Sequence, residues 1–291
     1  MTASKQLEAI GVKTHELVAD QYRTYNRGLL PALKQNGLKI ITSHENLTRR
    51  EAIYVDKYFE EVVYPVLTPM AVDSSRPFPL IRNKSLNIAA LVRKKKGDGE
   101  LDFAMVRVPT GLPRVVVIQN GKDESQEQNE TKTTIIYLEE VIERNIDKLF
   151  LNYDIICSHP FRVMRNADLS IDEDEAEDLL KEIEKQLKKR QWGEAIRLDI
   201  EEKADKRLLD ILKNELEVTN DEIYEISGPL DLTVLMKVYG LPGFDALKAP
   251  GYTPQPVPAL MNDDDIFTNI RKGDILLTHP FETFEPVVDF I

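Results

Sequence analysis

A short proline-containing connector carries the residues of this sequence that are best suited to bind an anion. Arg76, Arg82 and Lys84 flank the rigid segment Pro77-Phe78-Pro79 or follow closely after it. Arginine and lysine side chains in a fixed loop hold phosphate through charge-assisted hydrogen bonds. In an ordinary linker the same cations offset nearby carboxylates, and this is the more frequent outcome. The spacing therefore makes these three residues candidate phosphate contacts and leaves the linker role open.

The histidines do not stand in a pattern that supports catalysis or metal binding. None belongs to an H-E-x-x-H motif or a zinc-ligand spacing, and a neighbouring Ser or Thr in sequence does not make a catalytic dyad. Glycine-rich phosphate loops and the G-x-S-x-G nucleophile motif are also absent. We therefore predict no catalytic, cofactor-binding or metal-ligating residue in this chain. The four histidines, for which we expect structural or exposed roles, are His15, His44, His159 and His279.

The segment Asp172–Arg190 has the clearest helical pattern of the sequence. Its first turn is acidic and its last turn is basic, which complements the helix dipole. Its carboxylates could suggest a metal site, but adjacent helical positions point in different directions. We interpret the segment as a well-capped amphipathic helix.

Composition limits the class of protein. The chain has 291 residues, enough for one large or two ordinary domains, and its 38 basic and 50 acidic residues give a net charge of −12. This balance argues against general binding to nucleic acid or to an acidic membrane surface. The longest apolar runs are too short to cross a bilayer, which predicts no transmembrane segment. A single cysteine, Cys157, and a polar start favour a cytoplasmic protein.

Hydrophobic periodicity predicts a helical segment followed by a mixed region of strands and helices. Residues 5–35 have helical spacing, and Thr48 with Glu51 forms a capping-box pattern that opens a second helix ending at Pro65. The residues expected on the buried face of this second helix are Ile53, Val55, Tyr58, Phe59 and Val62. The predicted fold class is α+β, with a largely antiparallel sheet covered by amphipathic helices and preceded by a helical segment.

Short apolar or alternating runs predict the strands. The expected strands are 38–42, 86–93, 103–108, 114–119, 133–137, 154–164 with an interruption at Pro160, 195–200 and 275–278. The further expected helices are 138–145, 206–216, 220–226, 229–239 and 265–272. Residues 240–260 are rich in glycine and proline and should form an ordered but irregular connector.

Four sequence stretches, in this order and spacing, resemble the long polyphosphate kinases that use a phosphorylated histidine. Together they extend over nearly the whole chain, so coincidence is a poor explanation. The stretches are Val66–Asp73 with Arg76–Pro79 and Asn83–Asn87; Phe161–Val163 with Arg165–Leu169 and Trp192–Leu198; Ile226–Leu232; and Gly273–Phe284.

The resemblance implies a domain organisation and a function. Residues 1–40 would be the end of a helical N-terminal domain, residues 41–270 a middle or head domain, and residues 271–291 the start of a catalytic domain. In the parent enzyme ATP and Mg²⁺ would serve phosphoryl transfer to a histidine and then to polyphosphate. That histidine has no counterpart here, so the resemblance implies a catalytically silent head domain that contributes subunit contacts to a homodimer.

Two further hypotheses stay open at this point. A stand-alone, non-catalytic binding or scaffold module of the same fold would share the four stretches. A small independent enzyme would have to use the acidic helix or the Arg76–Lys84 connector, and this is the least favoured. The apolar pattern that starts after Pro286 and stops at Ile291 reads as a cut chain and favours a fragment.

Overall fold

A computed structural model describes residues 2–72, 78–95, 99–119, 133–166, 193–261 and 265–291 of this chain. Candidate residue Arg76 and the predicted helix Asp172–Arg190 lie outside these residues. The chain divides into two compact units, Met1–Val238 and Tyr239–Ile291. This division tests none of the three predicted domain ranges, which stay predictions. In the part of the chain that is described, no helix combines the length and apolarity needed to cross a membrane.

Helices and strands both contribute to the fold, which confirms the predicted α+β class. The helices are α1 (Ala3–Thr24), α2 (Leu30–Gln35), α3 (Arg49–Tyr58), α4 (Leu138–Arg144), α5 (Lys206–Leu216), α6 (Leu235–Tyr239), α7 (Ile266–Lys272) and α8 (Glu285–Phe290). The strands are β1 (Leu38–Ile41), β2 (Pro69–Val72), β3 (Leu86–Lys94), β4 (Leu101–Arg107), β5 (Val115–Ile118), β6 (Thr133–Tyr137), β7 (Tyr153–Arg165), β8 (Ala195–Glu201) and β9 (Ile223–Ile226).

Two sheets form the framework of the first unit. The larger sheet has the strand order β2-β4-β3-β7-β8-β9, and all its neighbours are antiparallel except β8 and β9. Helix α5 connects β8 to β9, as a crossover between parallel strands requires. The smaller sheet has the order β1-β6-β5, with β1 parallel to β6.

The larger sheet is covered on both faces, which explains why β3 reads as a continuous apolar run. Ile88, Ala90 and Val92 of β3 pack into the core formed with α3, α4 and the smaller sheet. Ala89 and Leu91 point to the opposite face, which packs against α5. Because side chains alternate between the faces of a strand, burial on both sides favours apolar residues at successive positions, here Ile88–Val92. The buried Asn87 amide before this run donates hydrogen bonds to Ser85.

Two π-helical turns, Tyr25–Leu29 and Phe59–Val63, extend α1 and α3. In each case the N–H group of the next residue donates to the carbonyl five residues earlier, and a proline then follows. Pro31 and Pro65 lack the N–H group that an α-helix would need at that point. A wider turn just before the proline is a common way to accommodate the lost hydrogen bond.

The second π-helical turn corrects the predicted buried face of α3. Val55 and Phe59 are fully buried as expected, but Ile53 and Val62 are exposed, and Val63 is buried in place of Val62. The wider turn adds a residue, so the position that returns to the core after Phe59 moves from Val62 to Val63. Ile53 precedes this turn and is exposed because it lies on the side of α3 opposite Val55.

Three other local predictions were wrong or incomplete. Pro160 does not interrupt β7, because it lies just outside the β7–β8 ladder, where a strand tolerates a missing N–H group. Residues 223–226 form β9 instead of a helix, with the alternating burial of a strand. Residues 275–278 form no strand, and Leu276 is among the exposed apolar residues of the second unit.

A turn after β9 holds the N-terminal helix against the larger sheet. The Tyr22 hydroxyl donates to the carbonyl of Pro229 at 2.6 Å, and Asn26 Nδ2 donates to the carbonyl of Ser227 at 2.7 Å. Gly228 between them has φ of +151°, and a Cβ atom there would lie 3.3 Å from the Tyr22 ring. Glycine is required here because both the backbone conformation and the close approach of the ring exclude a side chain.

We expect Gly228→Ala to lower the free energy of unfolding by about 1–3 kcal/mol, because it adds backbone strain and pushes against Tyr22. Urea unfolding followed by circular dichroism measures this loss. Gly111→Ala is the matched control, since a Cβ atom at Gly111 meets nothing within 4 Å. Equal stability of the two variants would contradict the prediction.

Candidate functional site

The predicted phosphate-contacting residues lie on a tight turn that leads into β3. The Ser85 amide and hydroxyl both donate to the carbonyl of Arg82, and the Lys84 amide donates to the carbonyl of Val163 on β7 at 2.8 Å. Lys84 has a left-handed backbone with φ of 59°. The turn is therefore anchored to the sheet by its backbone, and Arg82 and Lys84 are exposed on a rigid support.

No ion pair of Arg82 or Lys84 is found among the described residues, so no carboxylate there offsets their charge. This is the property that a phosphate contact needs and that a charge-balancing linker lacks. Arg76, the third candidate, lies outside the described residues.

Arg162 adds a cation beside this turn. Its Nε atom donates to the carbonyl of Lys84 at 3.3 Å, and its two terminal nitrogens lie 3.8 Å from carboxylate oxygens of Asp199 and Asp231. The sequence offered no signal for this arrangement, since Arg162 stands in a strand and its two acidic neighbours come from elements far along the chain.

A cleft of about 700 Å³ lies between α1 and the larger sheet, and Arg162, Asp199 and Asp231 are part of its lining. Arg197 Nε donates to Asp199 Oδ1 at 2.6 Å, while Asp199 Oδ2 has no hydrogen-bond partner in the part of the chain described. Burial raises the pKa of Asp199, although Arg197 and Arg162 favour its ionised form. The cleft also contains Asp20 and Asp231, so it presents no excess positive charge to an anion.

Arg197 also packs on an aromatic ring that links α1 to β9. Its guanidinium lies 3.8 Å from the centre of the Tyr224 ring, and the His15 ring is stacked on Tyr224 at 3.9 Å. At these distances the two groups must occupy opposite faces of Tyr224. Cation–π and stacking contacts of this kind hold α1 in place and explain the structural role of His15.

A second group of charged residues surrounds the start of α4. Arg114 donates from Nε and Nη2 to the Glu139 carboxylate at 2.6–3.1 Å, and from Nη1 to the carbonyl of Asp231 at 2.9 Å. Burial favours the neutral form of Arg114, but the hydrogen bonds to Glu139 outweigh it and raise the pKa of the guanidinium. Arg114 thereby joins the smaller sheet, α4 and the segment after β9.

Two of the four histidines belong to a cluster of metal-ligating side chains that the sequence analysis missed. His44 Nδ1 lies 3.2 Å from Glu140 Oε2, and His159 Nδ1 lies 2.7 Å from Glu201 Oε2. Glu143 stands within ligand range of both pairs. The sequence predicts structural or exposed roles for these histidines. Their place in the cluster raises the separate question of which ligand the cluster binds.

The carboxylates of this cluster are in an unusual electrostatic environment. Burial, and after it the charges of Glu201 and Glu140, raise the pKa of Glu143 to about 9. Burial also raises the pKa of Glu140, although its hydrogen bonds from His44 oppose the change. Only the tertiary structure assembles this cluster, because its five members lie on four separate segments.

Comparison with known proteins shows the family. Residues 50–238 match the model of the polyphosphate kinase middle domain, which is well over half of the chain. This chain belongs to the polyphosphate kinase family. The matched range of the polyphosphate kinase middle domain contains the anchored turn, the sheet side of the cleft, Arg114 and the whole histidine–glutamate cluster except His44.

Relatives of known sequence extend the similarity to the entire chain. The chain is 41% identical to the polyphosphate kinase of Halalkalibacterium halodurans and 42% identical to that of Bacillus cereus, over 100% of its own length in both cases. It spans 40% and 41% of these two relatives. The sequence resemblance is therefore confirmed, and the chain corresponds to about two fifths of the relatives that it matches.

A solved structure supports the fold of this polyphosphate kinase segment. The crystal structure of polyphosphate kinase from Porphyromonas gingivalis superposes on 98% of this chain with a TM-score of 0.74, at 22% sequence identity. The chain covers 40% of that protein. At this identity the likeness establishes the shared fold.

Proposed function

We propose that this chain is the middle part of a polyphosphate kinase that transfers phosphoryl groups from ATP to polyphosphate. In the parent enzyme the reaction would consume ATP and polyphosphate of n units and release ADP and polyphosphate of n+1 units through a phosphohistidine. The observation that carries the proposal is the match of residues 50–238 to the family's middle domain. Relatives named polyphosphate kinase, which align with the whole chain, support it further.

The environments of the histidines favour placing the nucleophile elsewhere in the parent enzyme. His44 and His159 are paired with glutamates, His15 Nε2 lies 2.9 Å from the Asp221 carbonyl, and His279 Nδ1 lies 3.0 Å from the Glu282 carbonyl. None of them lines the 700 Å³ cleft that contains Arg162 and Arg197. ATP and Mg²⁺ would accordingly bind mainly to other parts of the parent enzyme. We place that enzyme in the cytoplasm.

The proposed role of this segment is structural support and subunit contact in a homodimer. Helix α1 carries apolar side chains that are at least 58% exposed: Leu7, Ile10, Val12 and Leu17. Leu7, Ile10 and Leu17 share one face of α1, whereas Val12 lies on another, and an exposed apolar face of this kind is suited to contact with another protein surface. Either a second subunit or another part of the enzyme would satisfy this surface.

Incubation with γ-labelled ATP and Mg²⁺ tests the assignment. We expect no labelled histidine on the 291-residue chain, because the nucleophile would belong to other parts of the enzyme. The intact enzyme that contains this segment, labelled under the same conditions, is the positive control. A phosphohistidine on the 291-residue chain would overturn the proposal.

The alternative is a stand-alone binding or scaffold module of the same fold. The reading frame beyond the codon for Ile291 separates the two possibilities. An open frame that encodes further polyphosphate kinase domains supports the enzyme segment. A stop codon there supports the module.

The turn at Arg82 and Lys84 is our proposed contact for polyphosphate. We expect Arg82→Gln with Lys84→Asn to weaken polyphosphate binding by roughly thirtyfold, since each of the two lost charge-assisted hydrogen bonds costs on the order of 1 kcal/mol. Asparagine is chosen at Lys84 because it tolerates the left-handed backbone. Fluorescence anisotropy with end-labelled polyphosphate measures the change.

Lys203→Asn is the matched control for this experiment. Lys203 is also exposed and left-handed, with φ of 66°, but it lies in the loop between β8 and α5. Equal polyphosphate binding by the double variant Arg82→Gln/Lys84→Asn and by Lys203→Asn would favour a linker role for the Arg82–Lys84 turn.

A further inference from the structure

Five side chains that can ligate a metal ion converge between α4 and the larger sheet. His44 follows β1, Glu140 and Glu143 lie one turn apart on α4, His159 is on β7 and Glu201 ends β8. They form two overlapping groups that share Glu143: one contains His44 and Glu140, the other His159 and Glu201. Within each group the ligand atoms lie within 4.8 Å of one another.

These separations suit ligands of a common cation. Bonds to a divalent ion measure about 2.0–2.6 Å, so two ligands of one ion stand at most about 4–5 Å apart. The three donors of either group therefore need only side-chain adjustments to meet one ion, and Glu143 belongs to both groups. The supporting elements are already fixed by the sheet pairing and by the packing of α4.

Glu143 is the member whose environment demands a positive partner. It is 7% exposed, and its Oε1 atom accepts a hydrogen bond from the Ser158 hydroxyl at 3.0 Å. Its Oε2 atom accepts no hydrogen bond from the described residues but keeps some contact with solvent, because Asp199 Oδ2 is the one fully enclosed side-chain atom among them without a partner. No lysine or arginine in these segments forms an ion pair with Glu143. The nearest charges, on Glu140 and Glu201, have the same sign. A carboxylate buried to this extent beside two others is stabilised by a proton or by a cation.

An internal cavity provides space next to this group. Its volume is about 50 Å³, and Glu140 and Glu201 are part of its lining together with Thr42 and Pro160. A polar cavity of this size is large enough for a water molecule. Glu143, His44 and His159 do not line this cavity, so it provides space for water only on the Glu140 and Glu201 side of the cluster.

We propose that this cluster binds a divalent transition-metal ion of the Zn²⁺ or Mn²⁺ class, with Glu143 as the shared ligand. Two imidazoles among carboxylates favour such ions over Mg²⁺ and Ca²⁺, which prefer oxygen ligands alone. The ion would join the β1 loop, α4, β7 and β8, and so would connect the smaller sheet to the larger one. The site does not depend on the proposed phosphoryl transfer.

Direct binding to the metal-free protein tests the proposal. After chelator treatment and dialysis, we expect isothermal titration with ZnCl₂ or MnCl₂ to give saturable binding near one ion per chain, with micromolar or tighter affinity. The thermal unfolding midpoint should rise with the same ion, because a ligand that binds only the folded state stabilises it. Mg²⁺ at equal concentration should leave the midpoint unchanged.

Variants decide whether the ion binds at this cluster. We expect Glu143→Gln and His159→Gln each to reduce the affinity at least tenfold and to abolish the midpoint shift. His279→Gln, which removes an imidazole from the second unit, should bind the ion with the same affinity as the unsubstituted chain. If Glu143→Gln does not fold, His159→Gln gives the same test on the other ligand.

Two results would overturn the proposal. One is the absence of saturable Zn²⁺ and Mn²⁺ binding to the metal-free protein. The other is metal binding that both cluster variants retain at full affinity.

Discussion

Replacement of Arg114 by methionine should lower the free energy of unfolding by about 3–5 kcal/mol, because it leaves a buried carboxylate without its partner. Glu139 is 3% exposed and receives its charge-assisted hydrogen bonds from Arg114. The variant also removes the hydrogen bond to the Asp231 carbonyl. Glu140 and Glu143 on the same helix offer no compensating positive charge.

Urea unfolding of three proteins measures this effect: the unsubstituted chain, Arg114→Met and the double variant Arg114→Met/Glu139→Gln. The double variant should regain a large part of the loss, since a neutral amide is easier to bury than a carboxylate. The difference between single and double variants isolates the charge of Glu139 from the lost packing. If Arg114→Met were as stable as the unsubstituted chain, Glu139 would have found another partner or taken up a proton.

Truncation of Phe161 to alanine should destabilise the protein by about 3–5 kcal/mol, as is usual for a fully buried phenylalanine. Phe161 is 0% exposed on the central strand β7, where it packs with Leu198, Ile200 and the apolar face of α5. The cavity left by the ring cannot close easily, because the strand is paired on both sides.

The conservative variant Phe161→Leu separates volume from hydrophobicity in this experiment. It should lose clearly less than Phe161→Ala, and Phe267→Ala, at an exposed ring in the second unit, should change stability little. Chemical denaturation monitored by near-ultraviolet circular dichroism reports the loss. A loss below about 1 kcal/mol for Phe161→Ala would mean that the α5 layer can repack around the gap.

Periodicity in the sequence predicted most helices and strands, because each needed one apolar face or a continuous apolar run. The Thr48–Glu51 capping box is a local signal, and it stands where expected. Periodicity was wrong where a local pattern was short. The segment 223–226 forms a strand because it pairs with β8. The sequence of four residues does not indicate this pairing.

The candidate site was predictable only in part. The sequence pointed to Arg82 and Lys84, and the structure places both on a rigid exposed turn. No sequence signal placed Arg162 next to Arg82 and Lys84, because Arg162 contacts the turn through the Lys84 carbonyl, which lies on the connection before a neighbouring strand. Phosphate binding by Arg76, Arg82 and Lys84 stays a prediction.

The sequence by itself determined the α+β class, the family and most secondary-structure elements, because these depend on patterns within short or ordered stretches. Only the tertiary structure decided how Arg114, the α1 contacts and the histidine–glutamate cluster are assembled. His44 and Glu140 lie 96 residues apart, and His159 and Glu201 lie 42 residues apart. Their proximity follows from strand pairing and helix packing, which bring distant segments together, and no spacing along the chain records it.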